Sequence, residues 1–517
     1  TITALGNGDY SLDVNGGSSI TVAAATIDAN PAIQIFGMKF ATSSGIASGY
    51  NVTEVGDPLS YWRFKDHYGN FAGESHDNDP ELPTGNPGYI RWDDSSFSIS
   101  ITGTVYSDAG VTPLGGPTCD NVTPVVRVKV DGGGTYSSPC LAANGAYAVT
   151  GIAFSGDTVM TVYLDTNGGA RAALVTRSAA GDLSGMNLYR DRVIVRHEDV
   201  FPMTIAKMAL YSKTQDTDIP FTATDAGTDT LVTDPNTEFW VWTGMTFIPG
   251  GNITLQSGGT GTTYDGTFHI DNGATFTAQG SEAHAVGGRF VADSGANFTP
   301  AFSTFTFTAT TTGKSVTGIA PLTFWNMVWN GAGGNWSINQ TLTVSNSFLV
   351  NAGTVSGANN VTVFGTALSG NGTIAMTGGD FTFANGGTFG GGSDWTFGSL
   401  TLGNGTLATT TKTGSSTVTV SGVLSVSTAH ALLAGTSTTW VLSGGGTPLA
   451  LSGAFLVENA IVRYAASGAS ANVTPTTYAR LEFSATGAAT PTYTMGTGAF
   501  TIGGPLLIGN ATGSAIV

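Results

Sequence analysis

Phe324-Trp-Asn-Met-Val-Trp-Asn-Gly331 returns in altered form as Phe397-Gly-Ser-Leu-Thr-Leu-Gly-Asn404 and Tyr478-Ala-Arg-Leu-Glu-Phe-Ser-Ala485. Each stretch reads aromatic, two residues, apolar, one residue, apolar, then small residues that turn the chain. A second block follows each one: Leu342-Thr-Val344 with Phe348-Leu-Val350, Val418-Thr-Val420 with Leu424-Ser-Val426, and Phe500-Thr-Ile502 with Leu506-Leu-Ile508. The leading aromatics, Phe324, Phe397 and Tyr478, thus recur at a near-fixed spacing, and such self-similarity marks a stacked repeat architecture. The apolar positions alternate with period two and are β-branched or aromatic, so the stacked unit is made of strands.

The spacing selects among strand repeats. A four-stranded propeller blade takes about 40–50 residues, whereas solenoid rungs take about 20–30, so one unit here holds about three coils. The expected fold class is therefore all-β, a β-solenoid (β-helix) whose inward apolar residues form one narrow core. Gly and Asn at corners supply turn conformations, and outward Thr and Ser keep the strands wet. Trp325, Trp329, Trp336, Trp395 and Trp440 sit at period-two spacing beside apolar neighbours, which reads as core rather than as a ligand-binding face.

Composition limits the function classes. With 41% hydrophobic residues, 27 Phe and 9 Trp among 517 residues, the chain has enough apolar mass for a core, and its length predicts more than one domain. Only 10% of residues are charged and the formal net charge is −17. That balance argues against nucleic acid, whose phosphates need a basic face. No run of eighteen or more apolar residues predicts a membrane span. The first residue is Thr1 and the last, Val517, falls inside the third repeat, so both ends read as cuts in a longer chain or as processed ends.

Taken in order, residues 1–60 carry short alternating runs such as Ser11-Leu-Asp-Val14 and Ser19-Ile-Thr-Val22, which predict coils ending an earlier solenoid segment. Residues 61–96 form an insert crowded with acidic and aromatic side chains. Residues 97–198 predict a β-sandwich, and residues 199–517 the long solenoid with ~75-residue repeats. Within the sandwich, the opening Gly103-Thr-Val-Tyr-Ser-Asp108, the turn Asn144-Gly-Ala-Tyr147 and the closing strand Thr158-Val-Met-Thr-Val-Tyr-Leu164 resemble the carboxypeptidase-regulatory-like (transthyretin-like) module. That resemblance covers about a hundred residues and implies an inserted stalk or spacer without catalysis of its own. The module order as a whole resembles large Gly/Thr/Asn-rich β-solenoid surface proteins of environmental, candidate-phylum bacteria.

Candidate sites are few. Asp66, Asn70, Glu74, Asp77 and Asp79 cluster hard oxygen ligands beside glycines, as calcium loops do, though not at EF-hand spacing; the alternative is a solvated acidic loop. Calcium is the only cofactor the chain suggests. Cys119 and Cys140 lie close together and suit a disulfide, with free thiols or half a metal site as alternatives. Asn51, Asn121, Asn335 and Asn360 are among several glycosylation sequons, many of which composition alone would produce. No zinc-hydrolase, nucleophile-elbow or phosphate-loop motif is present. From Pro321 to Val517 the charged residues are Asp380, Asp394, Lys412, Glu458, Arg463, Arg480 and Glu482, too dispersed for a groove of converging carboxylates.

The sequence thus reads as a non-enzymatic, extracellular or cell-surface structural protein whose partners are copies of itself. Neither end shows a capping helix or charged cap, so the ends and edges of the stack are expected to pair between copies as a filament or surface layer. The alternative is an adhesin or carbohydrate-binding stalk that presents residues 61–94 to surface glycans. A polysaccharide-degrading β-helix enzyme is the third reading.

Overall fold

In the computed structural model the described residues are 97–114, 125–139, 144–154, 158–166, 169–177, 181–319, 321–466, 470–484 and 491–509, plus the backbones of five earlier strands. From Arg192 onward the chain winds into a three-sided β-solenoid of about 15 turns. One side stacks Arg192–Val195, Glu238–Val241, Phe268–Ile270, Phe290–Ala292 and Lys314–Thr317 in parallel, and the stack continues to Leu506–Ile508. The second side includes Thr246–Phe247, and the third begins with Asp229–Thr233 and continues through Gly251–Leu255, each strand again paired in parallel with the next coil. Alternation explains the packing: in Leu342-Thr-Val344, Val361-Thr-Val363 and Phe381-Thr-Phe383 the outer two residues are buried and the middle Thr faces out. The outward residues stack into a column, Thr323, Thr343, Thr362, Thr382, Thr401 and Ser425.

In register, Val418 stacks on Trp440 and Trp440 on Val462, so each coil is one solenoid rung. The three aromatic-led segments all belong to this one stack, but they do not lie over one another. Phe324 ends the second side and Met327 and Trp329 open the third. Phe397 ends the first side and Leu400 and Leu402 open the second. Tyr478 precedes the corner after which Leu481 and Phe483 rejoin the first side. The repeat is therefore a corner motif, an aromatic, a short bend and two inward apolar residues, used once at each of three different corners.

The region expected as an inserted sandwich is built differently. Two sheets do face each other: Ala146–Phe154, Phe97–Tyr106 and Leu188–Tyr189 on one side, and Gly134–Pro139, Val125–Val130, Val159–Asp165 and Ala173–Arg177 on the other. Yet Ala173–Arg177 also pairs in parallel with Arg192–Val195, the first strand of the solenoid side. The second sheet thus continues into the solenoid and is a wall shared by two cores. In Val159-Met-Thr-Val-Tyr-Leu-Asp165, Met160, Val162 and Leu164 face the smaller core while Val159 and Tyr163 face the solenoid core. A strand buried on both faces reads as a near-continuous apolar run, which is why its sequence resembles a sandwich interior.

Two further expectations are corrected. The N-terminal opening of the solenoid core is closed by a short helix, Ile205–Met208, whose Ile205 and Met208 are buried against Val159–Asp165, Phe221–Thr224 and Asp229–Thr233. Its first turn is capped by the Thr204 hydroxyl, which accepts from the Lys207 N–H at 3.2 Å. So short a helix is too brief to show a periodic stripe in sequence. The strands Ile2–Ala4, Tyr10–Val14 and Ser18–Val22 pair antiparallel as a meander, whereas solenoid coils pair in parallel, so they are not coils of an earlier segment. Period-two alternation is common to both arrangements. Tyr61–Lys65 and Tyr89–Asp93 form an antiparallel pair with Trp62 opposite Trp92. Among the described residues no helix is long and apolar enough to cross a membrane.

Candidate functional site

Among the described residues, one group of titratable side chains able to meet at a point lies on the outer face of the first side, just beyond the shared wall. Parallel register puts Trp240, His269 and Val291 one above another. The His269 ring stacks on Trp240 with centroids 5.0 Å apart and an interplanar angle of 8°. Its Nδ1 lies 3.0 Å from Glu238 Oε1 and its Nε2 lies 3.1 Å from Asp293 Oδ2. Glu238 in turn accepts from Arg192 Nε at 2.8 Å, both side chains being almost fully buried. Burial works against a charged His269, but hydrogen bonds and fields from Glu238 and Asp293 outweigh it and hold its pKa above the ordinary value. When protonated, the ring can donate from each nitrogen to a carboxylate and so tie three successive coils together.

Asp271 stands two residues after His269 on the same face, and its carboxylate accepts from Thr243 Oγ1 at 2.6 Å. Ligand atoms of His269, Asp271 and Asp293 all lie within 4.8 Å of one another. One imidazole nitrogen and two carboxylates suit a borderline divalent cation, which would have to displace the ring proton now shared with Asp293. The signal for this group lies in the coil period: His269 and Asp271 share a face, and Asp293 follows Asp271 by one coil. His269 reads as isolated in the sequence because its partners are a coil away on either side.

Beside this group the aromatic residues at the rim of the smaller core form a continuous contact run. Tyr189 stacks on Tyr106 at 5.3 Å and on Trp242 at 5.6 Å, and meets Trp240 at 5.5 Å. The Arg196 guanidinium sits 5.6 Å over Trp242 and donates to Glu198 at 2.8 Å. Tyr189 and Trp240 are buried, so this run mainly seals the junction between the two cores.

The expected core tryptophans are placed as read. Trp329, Trp336, Trp395 and Trp440 are fully buried, and Trp395 and Trp440 donate to the Gly372 and Ala434 carbonyls at 2.9 and 3.0 Å. Trp325 is the exception, half-buried and edge-on to exposed Phe302 at 4.9 Å. Asn360 is exposed, and its carboxamide oxygen accepts from the Asp380 N–H at 2.9 Å; half-buried Asn335 accepts from Ser356 Oγ at 3.3 Å. Asp66, Asn70, Glu74, Asp77, Asp79, Cys119, Cys140, Asn51 and Asn121 lie outside the described residues.

Inward-facing polar groups are a second class. Lys412, paired in register with Phe389, points into the core and donates to the Thr413 and Gly414 carbonyls and to Ser416 Oγ at 2.6, 3.3 and 3.1 Å. His430 shares a 2.8 Å bond with Thr410 Oγ1, and His284 sits between Phe276 and Phe305 with Glu282 Oε2 at 3.5 Å. Burial holds both imidazoles below their ordinary pKa. A depression lined by Glu458, Asn459, Thr477, Arg480 and Pro505 offers one carboxylate, and its guanidinium is engaged with Glu482 at 2.7 Å. Glycoside cleavage ordinarily needs two carboxylates flanking one bond. No family model, no curated protein and no solved structure matches the chain.

Proposed function

We propose that this chain is an extracellular structural protein, a three-sided rod on a cell surface whose copies join end to end into a filament or surface layer. The observation that carries this reading is the unbroken parallel stack from Arg192–Val195 to Leu506–Ile508, together with the outward hydroxyl column of the second side from Thr323 to Ser425. Both edges of that one sheet support the mode of joining. Among the described residues Leu506–Ile508 pairs only with Arg480–Phe483, and at the opposite edge Gly134–Pro139 pairs only with Val125–Val130. Met495 and Ile508 near the first edge are 47% and 51% exposed. Unpaired strand edges accept another strand, and joining unlike edges of successive copies gives an open fibre rather than a closed ring. The helix-sealed core explains why the sheet edge, not the core cross-section, is the joining surface at the N-terminal end. Negative-stain electron microscopy of the purified chain at rising concentration tests this: fibres with a regular axial repeat are expected, and uniformly short single particles at every concentration would sink it.

A second reading rests on the register of one hairpin. Trp62 lies opposite Trp92, which puts two aromatic positions on one face of a two-stranded ribbon. In this reading the chain presents residues 61–94 to surface glycans. Glycan-array binding that disappears in Trp92→Ala supports it, and binding that survives the substitution removes it.

A further inference from the structure

Two lysines point into the solenoid core, and their surroundings are opposite in kind. Lys412 has three acceptors within hydrogen-bond distance of Nζ, as a buried ammonium requires. Lys314 is buried just as fully, yet its Nζ has no hydrogen-bond partner among the described residues. The nearest charged group is Asp265, whose Oδ2 lies 3.7 Å away; the two side chains are 1% and 0% exposed. Burying an amine and a carboxylate in this way without joining them is costly.

Asp265 is held asymmetrically. Its Oδ1 accepts from two backbone N–H groups, Gly258 at 2.6 Å and Asn236 at 3.2 Å. Its Oδ2 accepts only from Ser257 Oγ at 3.0 Å and is the oxygen that faces Lys314. The corner of the coil between them consists of Gly287 and Gly288. A Cβ at Gly288 would collide with the Asp265 carbonyl oxygen, and one at Gly287 would fall 2.5 Å from that of Leu255. Glycine there lets the backbones close up, so a lysine one coil further on reaches the carboxylate.

We propose that Lys314 and Asp265 condense into a side-chain amide that staples the corner before Phe268–Ile270 to the strand Lys314–Thr317, two coils further along. Two backbone N–H groups on Oδ1 form the cradle in which an oxyanion develops when Nζ attacks Cγ. The reaction balances within the pair. One ammonium proton passes to Oδ2, leaving a neutral amine and a carboxylic acid. Nζ then bonds to Cγ, and a second nitrogen proton goes to Oδ2. The Cγ–Oδ2 bond breaks, releasing water, and the third proton stays on the amide nitrogen. Oδ1 becomes the amide carbonyl and keeps its two N–H donors. Burial favours the neutral amine, against the opposing pull of the Asp265 carboxylate and with help from the Arg289 guanidinium. Fixed proximity supplies the effective concentration that an uncatalysed condensation lacks.

The measurement is the intact mass of the full folded chain, followed by peptide mapping. The wild-type chain is expected to be lighter than its sequence by one water molecule, with a branched peptide joining the Lys314 and Asp265 segments. Lys314→Met and Asp265→Ala should each show the full sequence mass. Two results overturn the proposal: a wild-type chain at its full sequence mass, or a water loss confined to the Asp265–Gly266 peptide, which would be a succinimide. Both are read on the wild-type chain, so the proposal stays exposed even if a variant fails to fold.

Discussion

The early coils, between Glu238 and Thr317, and the later ones, between Val361 and Tyr464, share one three-sided plan but differ in what they enclose. The early interior is a pack of rings, with Phe268 in contact with Phe239, Phe276, Phe290 and Phe305 at centroid distances of 5.7, 5.1, 5.6 and 6.4 Å. The same coils also bury Asp265, His284 and Lys314. The later interior is mainly Val and Leu, with fewer rings among them, and Lys412 and His430 are buried there. On the first side, the steps from Phe239 to Phe268 and from Phe290 to Val316 are longer than those from Val418 to Trp440 and from Trp440 to Val462. Longer corners supply the backbone N–H groups and the space that an inward polar side chain needs. In a stack whose layers touch only their neighbours, such differences remain local.

The comparison breaks most directly within the early pack of rings. Phe268→Ala is expected to cost about 3–5 kcal/mol. Hydrogen exchange should rise in Glu238–Val241 and Phe290–Ala292 while the coils around Trp440 stay protected. Uniform loss of protection along the whole stack would show that the two regions are one cooperative unit.

Acid is expected to act next. His284 is held neutral by burial, so its folded pKa lies below the ordinary 6.5. Its contribution is complete above 6.5 and is lost as pH falls from there towards the folded value, because the unfolded chain then binds the proton more readily. His284→Phe should make the early coils less sensitive to acid. His430 does the same in the later coils, so exchange resolved coil by coil in each single variant separates them. His269 has the opposite sign. Its raised folded pKa contributes stability fully below 6.5 and loses it as pH climbs through the folded value, so His269→Gln should cost most in acid.

A smaller effect belongs to the later coils in alkali. Burial lowers the Lys412 pKa to about 8 from 10.5, with Asp394 opposing. Between those values the unfolded chain holds more protons, so stability should rise with pH there, and Lys412→Met should flatten the rise. The smallest effect is expected on the outer column, where Thr382→Val should change stability by no more than about 0.5 kcal/mol. A larger change would mean that the column carries load between coils, measurable as a shift in the denaturation midpoint.

Much of this was readable in the chain and some was not. Period-two alternation in Leu342-Thr-Val344 or Val418-Thr-Val420 determines which residues face inward whatever the strand pairs with, and it correctly placed Trp329, Trp336, Trp395 and Trp440 in the core. The same alternation cannot tell a parallel coil from an antiparallel meander, which is why Tyr10–Val14 and Ser18–Val22 read as coils. Lys314 had one available signal: it shares inward parity with Val316, two residues on, and an inward lysine demands a partner.

By itself the sequence determined that this is a strand-built stack of short coils, because inward and outward alternation is local to each strand and small residues punctuate it. Tertiary structure alone decided which corner each aromatic-led segment occupies, that the sheet of Val159–Asp165 serves two cores, and that Asp265, Glu238 and Asp293 meet their partners across coils. Register accumulates from the length of every preceding corner, and one added residue moves all later layers. That sum is settled only when the layers pack.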